Sequence, residues 1–155
     1  MERNPVIELR NVAVFHSAKP GSSNPRKRGE MVVSGVNLTV CEGEMVYLIG
    51  KVGSGKSSLI KTLYAEVPLI EGEGRIVGFD LRHMKRRDVS RLRRSIGIVF
   101  QDYQLLSDRD VFGNLHYVMK ATGWRNETDM RRRIEEVLSV VGLESKAFKM
   151  PFELS

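Results

Sequence analysis

The chain has 155 residues, 41% of them hydrophobic, with 25 Lys and Arg against 19 Asp and Glu and a formal net charge of +6. No apolar run approaches the roughly 20 residues of a membrane-spanning helix, and the opening Met-Glu-Arg-Asn-Pro lacks the apolar centre of a secretion signal. Cys41 is the only cysteine, which excludes an intrachain disulfide and agrees with a reducing compartment, so the expectation is one cytosolic domain.

In chain order, the first segment without apolar periodicity lies between Phe15 and Met31. Its Pro, Gly, Ser and Asn residues read as a mobile loop joining two strands of an antiparallel hairpin. Arg26, Lys27 and Arg28 in that loop suit nucleotide phosphates or acidic lipid, and equally an ordinary solvated loop. Met45-Val-Tyr-Leu-Ile49 then reads as a strand buried on both faces. It runs directly into Gly50-Lys-Val-Gly-Ser-Gly55-Lys56-Ser57, which fits the spacing G-x-x-x-x-G-K-[ST]. Lys56 to Val67 follows with Leu59, Ile60, Leu63, Tyr64 and Val67 at helical spacing.

Strand, glycine loop and helix in that order are what phosphate binding requires. Glycines let backbone N–H groups converge on anionic oxygens without a Cβ in the way, and the helix opening near Gly55 adds the positive end of its dipole. Lys56 is expected to reach the β and γ phosphates and the Ser57 hydroxyl to ligate Mg²⁺. A plain structural turn is the competing reading of such a loop.

Arg82 to Arg94 concentrates Arg82, Lys85, Arg86, Arg87, Arg91, Arg93 and Arg94. An anionic membrane surface, a nucleic acid or plain solvent all suit such a stretch, but no Phe, Tyr or Trp is interleaved to stack on bases. No direct nucleic-acid partner is therefore expected. Ile96-Gly-Ile-Val-Phe100 is a second short apolar run ending in Gln101, where an open parallel sheet places its ligand chemistry. The Gln101 amide can offer an oxygen to Mg²⁺ and a donor to water, although a solvated strand end is the commoner role. Two helices follow without an intervening strand. Val111, Leu115, Val118 and Met119 share one face, and Met130, Ile134, Val137, Leu138 and Val141 share another before Gly142.

Taken together these segments resemble the ATP-binding cassette (ABC) ATPases over nearly the whole chain. The resemblance implies an α/β P-loop NTPase fold with an antiparallel β-subdomain at 1–44, a nucleotide-binding core at 45–102 and a helical subdomain at 103–155. Ile7 to Phe15 and Val32 to Val40 look like its first strands, Gly50 to Ser57 like its Walker A loop, and Gln101 like its Q-loop glutamine. It implies ATP and Mg²⁺ as cofactors. Gly50, Val52, Gly53, Ser54, Gly55, Lys56, Ser57 and Ser58 would hold the nucleotide, with Phe15 stacked on adenine. Lys56 and Gln101 would be catalytic, and Ser57 and Gln101 metal-ligating.

Within the family, Gln101-Asp-Tyr-Gln-Leu-Leu-Ser-Asp-Arg-Asp-Val111 is similar to the FtsE branch that serves cell division. That branch implies a homodimer of ATP-binding subunits at the inner face of the membrane, driving an integral FtsX-like permease. Lipoprotein-export, efflux or other ABC transporters, or a nucleotide-binding fragment without turnover, are the alternatives. Tyr103, Leu105 and Leu106 would line the groove for the permease, or else belong to the core. The loop before Met31 looks longer than that branch usually has. Leu154-Ser155 resembles the first two residues of the family's LSGGQ signature. No later Asp-Glu strand or switch histidine is present, so the chain reads as a cassette missing its carboxyl-terminal part and inactive as given.

Overall fold

A computed structural model describes residues 4–17 and 28–154. The hairpin loop, with Arg26 and Lys27, and Ser155 of the expected signature lie outside the described residues. The chain divides into two compact units, Met1–Gly97 and Ile98–Ser155.

In the first unit, β1 (Pro5–Ser17), β2 (Arg28–Cys41), β3 (Glu71–Ile76) and β4 (Phe79–Asp80) form an antiparallel sheet in the order β2-β1-β3-β4. The long β1 is bulged. Its pairing shifts between Leu9 and Val12 on β2 and between Arg10 and Ala13 on β3. Asn11 sits in that irregularity at φ 49, and its backbone N–H donates to the Asn37 side chain at 2.9 Å. Gly72 lies against it at φ +85, and a Cβ there would meet the Asn11 carbonyl oxygen at 2.4 Å. Only glycine fits both the dihedral and the space, so the bulge and Gly72 require each other.

Leu9, Val12 and Val14 of β1 and Ile76 of β3 form the core with Leu59 and Leu63 of α1 (Lys56–Leu63), Leu69, Leu81, and Leu92 of α2 (Arg86–Ser95). Helix α1 is shorter than its apolar spacing predicts. It stops at Leu63 because Tyr64 caps it and Ala65 turns left-handed at φ 56. Arg93 of α2 then binds the freed carbonyls, donating to Tyr64 O at 3.0 Å and Ala65 O at 3.4 Å. Ile60, expected on the buried face, is instead 44% exposed.

The two apolar runs expected as buried parallel strands join no ladder among the described residues. Met45, Tyr47 and Ile49 are 79%, 75% and 89% exposed, and Val99 is 93% exposed. Both runs carry the side chains of a central strand, but burial on two faces needs neighbours on both edges, and the sheet that forms is the antiparallel one.

The second unit pairs α3 (Val111–Ala121) with α4 (Glu127–Val140), followed by single 3₁₀ turns at Glu144–Lys146 and Pro151–Glu153. Met130, Ile134 and Leu138 of α4 are buried, as their spacing predicts, whereas Val118 and Val141 are exposed. Gly142 does stop α4. At φ 69 it donates to Ser139 O at 3.1 Å while Leu143 donates to Leu138 O at 2.8 Å, the two bonds of a Schellman cap.

Glu127 opens α4 and receives Lys120 Nζ at 2.7 Å and lies 2.6 Å from His116 Nε2, both on α3. The Lys120 contact first, then His116, holds its carboxyl below the usual carboxylate range. A carboxylate lowered on folding stabilises above its unfolded pKa and loses that contribution as pH falls through the folded one. Glu127→Gln is therefore expected to flatten the acid limb of stability below about pH 5, followed as urea midpoint against pH, with little change at pH 8 attributable to titration. An unchanged acid limb would show that this contact does not contribute.

Candidate functional site

The loop from Gly50 to Ser57 connects the apolar Met45–Ile49 run, which adopts no regular secondary structure, to α1. Gly55 is the N-cap of α1 at φ 86, ψ 5 and offers no side-chain cap. A Cβ on it would meet Val32 Cγ1 at 2.8 Å and Val33 Cβ at 3.3 Å, so strand β2 presses against the turn and admits glycine only. The first bond of the helix is Leu59 N–H to Gly55 O at 2.9 Å. The amides of Lys56, Ser57 and Ser58 thus have no acceptor within the helix and lie at its positive end.

Lys56 folds back over the loop. Its ammonium donates to Gly50 O and Lys51 O, both at 2.7 Å, which pins the positive charge inside the turn. A Cβ at Gly50 would sit 2.9 Å from Ser54 Oγ, a contact that rotation of the exposed Ser54 hydroxyl relieves. Gly50, Lys51, Val52, Gly53, Ser54 and Ser57 are exposed, while Lys56 and Ser58 are half-buried. Open amides, a positive helix end and a fixed ammonium converge on one exposed turn. That arrangement suits a multiply charged anion, whose oxygens would replace two neutral carbonyls around Lys56.

The fold brings together the loop residues expected at the site, from Gly50 through Ser58. Phe15 stands near the end of β1, half-buried, opposite Met31 of β2. Gln101 belongs to the second unit, in an exposed turn without strand pairing. Tyr103, Leu105 and Leu106 are 74%, 52% and 36% exposed, which removes the reading of these three as core. Tyr103 and Gln104 are both left-handed, at φ 56 and φ 47.

The residue that shapes this segment escaped the sequence reading. Asn114, buried in α3, accepts from Leu106 N–H at 2.8 Å and donates to the carbonyls of Leu106, Arg109 and Asp110 at 3.0, 3.1 and 3.0 Å. Asp110, the N-cap of α3, accepts from Gly113 N–H at 2.6 Å. The legible signal was Asp110 ahead of the apolar helical run; nothing in it announced that Asn114 would turn inward. Asn114→Ala removes the partner of the Leu106 N–H and of the Arg109 carbonyl, whereas the Leu106 and Asp110 carbonyls keep the Arg109 and Asn114 backbone donors, so it is expected to destabilise by about 1 kcal/mol in a urea titration. An alanine variant as stable as the parent would show that water replaces those bonds without loss.

Comparison with known proteins bears on the whole chain. Residues 33–155 match the family described as ABC transporter. Over 150 residues the chain is 43% identical to the cell division ATP-binding protein FtsE of Streptococcus pneumoniae, covering 97% of this chain and 60% of the relative. It is 37% identical over 131 residues to the methionine import ATP-binding protein MetN of Carboxydothermus hydrogenoformans, covering 84% and 39%. A bacterial ABC transporter cassette solved as a dimer superposes with a TM-score of 0.77 at 28% identity, covering 96% of this chain and 63% of that one. The chain thus spans 60% of the length of the FtsE relative.

Proposed function

The chain belongs to the ABC transporter family of ATP-binding domains, and from that premise we propose that it is the ATP-binding part of an FtsE-like subunit that drives an integral FtsX-like membrane protein. The observation that carries the ATP assignment is Lys56 held over a glycine turn that opens an uncapped helix. In this reading Lys56 engages the β and γ phosphate oxygens, and the amides from Val52 to Ser58 wrap the remaining ones. The Ser57 hydroxyl would hold Mg²⁺, which when bound would neutralise phosphate charge, and Gln101 is proposed as a metal ligand from its position in the sequence alone. Gln101 also orients water. Hydrolysis, a homodimer of ATP-binding subunits and a position at the inner face of the membrane through the permease belong to the same proposal. Among the described residues no helix is long and apolar enough to cross a membrane.

Phe15 supplies the test at the base. An aromatic stacked on adenine adds about 1 kcal/mol, so Phe15→Ala is expected to weaken a fluorescent ATP analogue roughly fivefold and Phe15→Trp to preserve binding. Normal affinity in the alanine variant, with unchanged circular dichroism, returns Phe15 to a structural role.

An import ATPase is the second reading, favoured by the 37% identity to MetN. The stretch from Gln101 to Val111 supports the cell-division branch instead. Co-purification with either an FtsX-like permease or a methionine permease decides between them; retention by the methionine permease alone removes the first reading.

A further inference from the structure

Helix α2 presents a concentrated positive surface that the nucleotide site does not use. Leu92 is its one buried residue, and Arg93 is turned back onto Tyr64 and Ala65. At about 100° per residue, Arg86, Arg87, Arg91 and Arg94 fall within an arc of about 140° on the opposite side. All four are exposed. The arc contains no acid. Asp88 lies outside it and is shared at the limit of ion pairing, 4.0 Å from Arg87 and 3.9 Å from Arg91. Its other oxygen also receives the Lys85 N–H at the N-cap, 3.3 Å away. The side chains of Arg86 and Arg94 make no ion pair or hydrogen bond to any described residue.

This surface is electrostatically unfavourable in the isolated fold. Arg87 and Arg91 are like charges one turn apart, and Arg86 and Arg87 occupy the first turn, where the helix dipole is already positive. An anionic partner relieves both. The face is the outside of a single helix rather than a groove, and no Phe, Tyr or Trp lies between Arg82 and Ser95 to stack on bases. A broad layer of phosphate groups meets a convex, arginine-rich face better than a base-reading or peptide-binding partner does. Guanidinium forks also match phosphate oxygens two at a time.

We propose that the arginine face of α2 binds the anionic phospholipid surface of a membrane directly, independently of the nucleotide site and of any permease. The test is co-sedimentation of the purified chain with vesicles of phosphatidylglycerol and phosphatidylcholine, against phosphatidylcholine alone. Arg86→Gln with Arg94→Gln breaks no contact within the fold. Each arginine near such a surface contributes about fivefold to binding, so the pair is expected to lose about 25-fold. Arg86→Lys with Arg94→Lys should retain most of it, and salt near 1 M, with a screening length of about 3 Å, should abolish it.

Arg132→Gln with Arg133→Gln removes equal charge from α4 and should bind nearly as the parent does. Equal loss in that control would mean that net charge acts rather than the α2 face, and would overturn the proposal. So would equal binding to phosphatidylcholine alone. Preference for duplex RNA over vesicles at matched phosphate concentration, lost in the Arg86 and Arg94 variant, would assign the face to nucleic acid instead. ATP affinity in that variant should stay unchanged, which keeps this inference separable from the nucleotide reading.

Discussion

Lys56→Ala is expected to lower Mg-ATP affinity about 10- to 100-fold, the worth of a charge-assisted hydrogen bond to phosphate of about 1.5–3 kcal/mol. The ammonium already sits in the turn, on Gly50 O and Lys51 O, so little ordering remains to be done when an anion arrives. Stability without nucleotide should change little, because those two carbonyls belong to exposed residues and water can replace the lysine. Equilibrium titration with a fluorescent ATP analogue measures the first effect and urea unfolding the second. Unchanged affinity in the variant would remove the phosphate-loop assignment. Lys56→Arg is a useful contrast, since a planar fork cannot occupy the same two-carbonyl seat as a compact ammonium.

The largest stability loss is expected at Leu92. It is fully buried at 0% exposure and is the only buried residue of α2, so it is the helix's main attachment to Leu9, Val12, Leu59 and their neighbours. Leu92→Ala should cost about 2–5 kcal/mol through lost burial and the cavity left behind. Arg86→Gln, six positions away and on the solvent side, should be near neutral in the same urea titration. A loss below about 1 kcal/mol at Leu92 would mean that the core closes over the gap or that α2 is held chiefly by Arg93.

The glycine turn that opens α1 was legible because its geometry is local. Glycine at 50 and 55, lysine at 56 and a helix to follow are all set within a few residues, and the structure places them in one turn. The inward face of α4 and its stop at Gly142 were legible for the same reason, through spacing and a left-handed cap. What failed was whatever depends on distant partners. The early end of α1 is fixed by Arg93, 28 and 29 positions further on, which satisfies the carbonyls of Ala65 and Tyr64. The β1 bulge rests on Asn37 and Gly72, and the 106–110 turn rests on Asn114. The apolar run at 45–49 shows the limit most plainly, since a hydrophobic pattern announces that a strand wants neighbours without saying where they are.

That run also governs how this chain behaves in company. Five consecutive apolar residues, exposed and paired to no strand among the described residues, are a segment onto which an identical segment of another molecule can add. Glu42 and Glu44 precede the run and Lys51 follows soon after it, so stacked copies in parallel register would set like charges upon like at each end. Flanking charges of this kind oppose the stacking of identical apolar segments. Added salt, which shortens the reach of such repulsion while leaving the apolar surface untouched, shifts the balance towards self-association.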